Sequence, residues 1–348
     1  MIPYIIRRIL LAAFTLLVIS FISFYIVQLP PGDIVDQYIL MLPDVGANID
    51  IIESVVPEEL REEWGLKDPL IVQWWRWVVG IIFKGDFGRS YTSIGGVSAQ
   101  GVPVVDPLQR YLPYTIYLAI FTAIITWVFS IPIGIYTAVR QNSLGDYVFT
   151  FIGFTGLAVP DFLLGLVLMY VAYAYFDHSV GGIFSGDYLT APWSIARVID
   201  MLQHLIIPAI VLGTSGTAGL IRIMRNNLLD ELGKPYVVTA QAKGLPIWRV
   251  VVKYPVRVAI NPFVSGIGGM LPGLVSGSVI VSIVLSLPTI GPIFLEAVMH
   301  QDAPMTASMI LMLSGLTVLG TLVSDLLLIV VDPRIRLTGS ARGGASGV

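Results

Sequence analysis

The sequence predicts an all-α integral membrane protein. It has six transmembrane helices, a long extracytoplasmic loop after the first, and a short helix in a basic cytoplasmic loop. Three observations carry this reading. Of 348 residues, 55% are hydrophobic and 12% charged, about half the charged share of roughly 25% in soluble domains. Six apolar runs are long enough for a hydrocarbon layer of about 30 Å. Lys and Arg gather in alternate loops, as the positive-inside rule requires.

The first run, Ile9–Val27, follows Arg7 and Arg8 and ends at Pro30, Pro31 and Gly32. It is too long for a typical signal-peptide core and no small-x-small cleavage site follows, so it reads as a retained span. The other runs are Thr115–Val139, Tyr147–Phe176, Leu205–Ile223, Pro262–Leu287 and Ala307–Val331. In lipid, segments of this length satisfy their backbone only as helices. The third is long enough to conceal a kink or tilt near Pro160. One side of the membrane receives thirteen Lys and Arg: both near the N-terminus, Arg140, seven between Arg222 and Arg257, and three in the tail. The short loops of the other side hold only Arg197, so both termini are expected in the cytoplasm.

The organisation expected is therefore a first helix in 1–29, an extracytoplasmic loop in 30–113, a five-helix core in 114–331 containing a cytoplasmic loop at 224–261, and a cytoplasmic tail in 332–348. The long outer loop carries twelve Asp and Glu against six Lys and Arg. "VVPEELREEWGL" and "DPLIVQWWRWVVGIIF" read as two short helices within it. Trp74, Trp75 and Trp77 in the second suit the membrane interface; a cap over an outer opening and a docking surface for an external partner remain alternatives.

The inner loop contains "YVVTAQAKGLPIWRVVVKYPVR", with four basic residues and no acidic one. Pro235 sits where a first-turn proline opens a helix and Gly244 where a left-handed cap closes one. A helix this short is unstable alone in water and must dock. From Pro246 a second helix would place Arg249, Lys253 and Arg257 at i, i+4 and i+8 on one face. Such a stripe binds anionic lipid, but that does not account for the small, nearly uncharged helix before it, which has the form of a plug for a partner's groove.

On these residues the chain resembles the permease subunits of binding-protein-dependent ABC importers, in the oligopeptide, dipeptide and nickel branch. "YVVTAQAKGL" is similar to the branch's coupling-loop pattern. "LPPGD", "WGLKDPLIVQWWRWVVGIIFKGDFGRSY", "LPYTIYLAI", "AVPDFLLGL", "IGPIFLEAVMHQDAPM" and "VDPRIR" resemble its other segments, over almost the whole chain. Val238 stands where the broad family has Glu, and Tyr254, Pro255, Val256 and Arg257 where it has Ile-x-Leu-Pro; both suit the peptide branch. The resemblance implies a coupling helix formed by Tyr236, Val237, Thr239, Ala240, Ala242, Lys243 and Gly244 that enters a groove of a cytoplasmic ATPase. It also implies two P-loop ATPase subunits, a second homologous permease forming a heterodimer, an extracytoplasmic solute-binding protein, and the plasma (inner) membrane of a bacterium or archaeon. Peptides are the implied substrates, with oligosaccharides or nickel as the alternative.

In the fifth span Ser265, Gly269, Gly273 and Gly277 recur every four residues, with Pro272 among them. Small residues at this spacing let helices approach closely in lipid. The same face could line the pore or slide on the second permease, with Pro272 as a hinge. Asp161 and Asp325 are the charged groups within spans, where acids usually face a bundle interior. Glu296, His300 and Asp302 in the last outer loop could meet substrate or binding protein.

What the sequence lacks narrows the class. There is no cysteine, which removes thiolate chemistry and Cys-ligated metals. The three histidines are far apart, so no metal is expected. No GxxxxGK[ST] occurs, so ATP and Mg belong to partner subunits and no cofactor is expected in this chain. A polytopic enzyme would need a catalytic constellation, and none is present. A passive channel would not need the docking helix. With net charge −3, nucleic acid is not an expected partner. The reading is a transport subunit that forms half of a translocation path.

Overall fold

A computed structural model describes residues 2–29, 35–36, 59, 61–62, 65–93, 96–176 and 181–331. The tail at 332–348, the first-helix exit "PPGD" and most of the expected helix in "VVPEELREEWGL" lie outside these residues. The chain divides into two compact units, Met1–Thr115 with Pro288–Leu316, and Ile116–Leu287 with Thr317–Val348.

In the first unit α1 (Ile2–Val27) is followed by α2 (Leu70–Lys84). Gly85 closes α2 with φ +65°, a conformation that glycine adopts without a Cβ penalty. Trp74 and Trp77 do not hang free. They are buried with Phe24, Val78 and Ala307, and their indole N–H groups donate to Ser20 Oγ (3.2 Å) and Phe87 O (2.9 Å). Trp75, one position over, is 60% exposed beside exposed Ile71, Ile82 and Phe83. The three tryptophans thus divide into two that bolt α2 to α1 and α12 (Ala303–Val331) and one that faces outward.

An antiparallel hairpin, β1 (Arg89–Ser93) and β2 (Gly96–Pro103), was not expected from the sequence. It pairs Arg89 with Pro103 and Ser93 with Gly96, with an irregularity between Ser90 and Thr92. Its base is fastened from a distance. Ser90 Oγ donates to Asp302 Oδ2 at 2.8 Å, while Asp302 Oδ1 accepts from Met305 N at 3.0 Å at the start of α12. Asp302 is fully buried, so it is an N-terminal cap rather than a solvent-facing group available to a ligand. Between hairpin and cap, α11 (Ile290–Met299) begins where Ile290 N donates to Thr115 Oγ1 at 2.9 Å. Replacing Asp302 by Ala removes the cap, a loss of about 1–2 kcal/mol, and with it the acceptor that Ser90 Oγ uses at 2.8 Å. A lowered unfolding temperature of the detergent-solubilised chain, larger than that of Ser90→Ala, is the expected result.

The second unit takes up α3 (Val105–Val139) from Ile116 onward, then α4 (Leu144–Ala158) and α5 (Asp161–Phe176). The expected third span is a pair of helices bent by 104°. Pro160 is the cause: it has no N–H to continue the α4 ladder and its ring excludes the preceding turn. Its carbonyl instead starts α5, accepting from Leu163 N and Leu164 N at 3.0 and 3.1 Å.

After a 3₁₀ turn at Gly186–Tyr188 comes α6 (Ile195–Leu232), far longer than the expected Leu205–Ile223. Its polar start is absorbed by the residues around it. Ser194 caps its start, and buried Arg197 and Asp200 hold the preceding loop. Arg197 donates to Ala191 O and Leu189 O and lies 4.6 Å from the Phe184 ring and 4.7 Å from that of Trp193. Asp200 accepts from Ser185 N (2.9 Å) and Ser185 Oγ. Then follow α7 (Pro235–Ala242), α8 (Ile247–Lys253), α9 (Pro255–Ala259) and α10 (Asn261–Val284).

Among the described residues four helices, α1, α3, α6 and α12, are long and apolar enough to cross a membrane, and there are five if the bent pair counts as one span. The fifth run expected from the sequence forms α10, whose 24 residues extend about 36 Å at 1.5 Å each.

Candidate functional site

The segment from α6 to α10 is built as the punctuation predicts, then departs from it. Pro235 occupies the first position of α7, where its missing N–H costs nothing. Thr239 Oγ1 returns to Pro235 O at 2.8 Å, and Gly244 ends the turn at φ +77°, its N–H on Gln241 O at 2.9 Å. Eight residues cannot hold a helix by propensity alone, and α7 is held by side chains. Val237 and Ala240, one turn apart, are 0% and 5% exposed and form a buried cluster with Val250 of α8. Leu232, Leu245 and Tyr254 pack around it. Tyr236 OH donates to Glu231 Oε2 at the end of α6.

The seven residues expected to form the coupling site therefore separate into two groups. Val237 and Ala240 face their own chain. Tyr236, Thr239, Ala242, Lys243 and Gly244 are exposed, together with Val238, which is 58% exposed, and Gln241. Sequence reasoning missed Val238 and Gln241 because it followed matched motif positions. The signal was present in the i, i+3 spacing of Val237 and Ala240, which marks the inward face and leaves its neighbours outward.

The basic stripe is corrected as well. Arg249 and Lys253 lie on α8, but the helix stops at Tyr254 and restarts at Pro255, so Arg257 belongs to α9. Proline again removes the donor that a continuous helix needs. All three remain exposed. Arg249 sits 5.1 Å over the Trp248 ring and Lys253 lies 5.6 Å from that of Tyr254.

On α10, Ser265, Gly269, Gly273 and Gly277 share an exposed face. A Cβ built on Gly269, Gly273 or Gly277 meets no atom within 4 Å. Close packing occurs on a different face. A Cβ on Gly268 would come within 2.5 Å of Thr321 Cγ2 and 2.9 Å of Thr321 N, and one on Gly320 within 3.0 Å of Gly268 Cα. One turn away Ser324 Oγ donates to Val264 O at 2.7 Å. The expected helix-packing role thus belongs, within this chain, to Gly268 and Gly320. Pro272 is inside α10. Asp161 opens α5 in a half-buried position, and Asp325 lies half-buried in α12.

Among the described residues no group of three His, Asp or Glu is placed to hold a metal ion. A set of long apolar helices joined by a docked short helix is the architecture of a polytopic membrane protein. Residues 130–337 match the family described as "Binding-protein-dependent transport system inner membrane component", and residues 1–119 match its N-terminal membrane component. The chain belongs to this family of binding-protein-dependent importer permeases. It is 36% identical over 335 residues to the oligopeptide transport system permease protein AppB of Bacillus subtilis, covering 96% of this chain and 99% of that one. It is 31% identical over 336 residues to the glutathione transport system permease protein GsiC of Salmonella paratyphi A, covering 97% and 99%. It is 30% identical over 337 residues to the probable D,D-dipeptide transport system permease protein DdpB of Escherichia coli, covering 93% of each.

Proposed function

We propose that this permease forms half of the path of an ATP-driven importer for peptides, and that α7 is the helix through which separate ATPase subunits drive it. The observation that carries the second part is the division of α7 into an inward face, Val237 and Ala240, and an exposed face around Val238, Thr239, Gln241, Ala242 and Lys243. A short helix anchored by one apolar face on its own chain is rigidly presented, and its other face, with Val238 on it, is free to enter a groove. The peptide reading is supported by the relatives, which are named for oligopeptide, glutathione and dipeptide transport.

In this reading both termini and the 224–261 loop are cytoplasmic, and the residues of 30–113 face outward toward a solute-binding protein. Two P-loop ATPases bind and hydrolyse ATP with Mg, and a second, homologous permease completes the path as a heterodimer. The exposed α10 face of Ser265, Gly269, Gly273 and Gly277 is the surface for that second permease or for the pore. Closure of the ATPases draws the two coupling helices together and exchanges outward for inward access.

The test is purification of the tagged chain in gentle detergent from its source membrane, with mass spectrometry of what accompanies it. A second multi-span permease and P-loop ATPases are the expected companions. A stable chain recovered alone, with no ATPase even after crosslinking at Lys243, would sink the reading.

A further inference from the structure

The start of α4 contains an acid that the composition gives no reason to single out. Asp146 lies in the first turn of α4, where Ser143 is the N-cap and accepts from Asp146 N at 3.2 Å. An acid at this position normally satisfies nearby backbone donors, and Asn142 N does donate to Asp146 Oδ2 at 3.1 Å. The carboxylate has a second engagement. Arg225 of α6, 79 residues later, donates from Nε to Oδ1 at 3.2 Å and from Nη2 to Oδ2 at 2.9 Å. Asp146 is 3% exposed.

Three features make this pair more than a fastening. First, a two-point guanidinium–carboxylate contact fixes direction as well as distance. An ion pair on a buried carboxylate adds little net stability over an apolar contact of the same size, so its distinctive contribution is geometry. Second, Arg225 stands two turns before the end of α6, and the stretch between leads straight to α7. Met224 and Leu228 are fully buried in one cluster, and Leu232 packs against both that cluster and the one holding Val237 and Ala240. Third, α4 is gripped again further along, where Arg222 lies 4.9 Å over the Phe154 ring. Five residues beyond Phe154 is the break that turns α4 into α5 at 104°.

We propose that the Asp146–Arg225 pair is the link by which displacement of α7 reaches the bent pair α4–α5. Asp146 and Arg225 are positioning residues: neither meets ATPase or substrate, and both keep the start of α4 in step with the end of α6. The proposal rests on the reading of α7 as the ATPase-docking helix.

The chain has no cysteine, so a Tyr175→Cys change supplies its single thiol, at an exposed position near the end of α5. The whole importer is reconstituted with its ATPases in lipid vesicles. Modification of that thiol by an impermeant maleimide is timed without nucleotide and with ATP and vanadate. In the Tyr175→Cys background the two rates differ. In Asp146→Asn and Arg225→Gln that difference falls roughly tenfold, within the usual range of coupling between distant sites, while the ATPases are still recovered with the complex. Exchanging the charges, Asp146→Arg with Arg225→Asp, restores part of it, because an arginine at the start of α4 opposes the helix dipole. Merely structural damage would not be repaired by the exchange. If Asp146→Asn does not insert, Arg225→Lys keeps the charge without the two-point grip and lowers the difference in the same direction. A nucleotide-dependent difference that survives in the single variants overturns the link, as does a background that shows none. An unmodified importer that recovers no ATPase overturns the docking reading, and the link with it.

Discussion

Ala240→Asp will release α7 from its own chain. Ala240 is 5% exposed among Val237, Val250 and Leu245, and a carboxylate there has no counter-charge within the cluster. An uncompensated buried charge costs several kcal/mol. At about 1.4 kcal/mol per tenfold, a cost of that size depopulates the docked helix by a hundredfold or more. Limited trypsin digestion of the purified chain should then cut quickly at Lys243, while the six apolar runs still insert. Ala242→Asp, on the exposed face, leaves the loop as resistant as before and weakens only the recovery of ATPase. Equal trypsin resistance in the two variants would show that Ala240 does not anchor the helix.

Gly268→Ala will destabilise the chain where Gly269→Ala does not. The added methyl at 268 meets backbone of Thr321 at 2.9 and 3.0 Å, distances that no side-chain rotation relieves. α10 and α12 must separate, at a cost of about 1–3 kcal/mol. The same methyl at 269 meets nothing within 4 Å, and the change should stay within about 0.5 kcal/mol. Unfolding temperatures of the two variants in detergent decide the matter, and equal losses would refute the assignment of the packing face. Within an assembled importer Gly269→Ala gains interest of its own: an effect on uptake or on recovery of the second permease, with unchanged stability of the isolated chain, would locate a partner on that face.

These two sites show what a sequence conveys and what it withholds. The bracketing of α7 was readable because Pro at the first turn and Gly at a left-handed cap are local requirements, met by the residues themselves. Which side of α7 turns inward was readable only in part, since Val250, Leu232 and Tyr254, which choose it, lie in other elements. In α10 glycine occupies 266, 268, 269, 273 and 277, so two faces were thin enough for close approach. The four-residue repeat favoured one, and the small residues of α12, Gly320 and Ser324, select the other. Pro160 announced a break, but an angle of 104° depends on what both halves pack against. The hairpin was missed although Gly95 and Gly96 follow strand-forming residues, a recognisable turn signal; the reading of 30–113 as helix and loop hid it. The tryptophans of α2 were read as one interfacial group, whereas burial of Trp74 and Trp77 required knowing that Ser20 and Phe87 supply their acceptors. Asp146 and Arg225 carry no shared local pattern at all, and only the packing of α4 on α6 makes them a pair.

The bond between Ser90 and Asp302 spans 212 residues, and this sets an order of events during synthesis. At roughly 5–20 residues per second, the hairpin leaves the ribosome about 10–40 s before the aspartate that fastens it exists. Through that interval the base of β1 and the neighbouring Phe87 carbonyl, which also accepts from Ser308 Oγ at 3.3 Å, lack their α12 neighbours. The base of the hairpin, made early, is thus among the last parts of its unit to close.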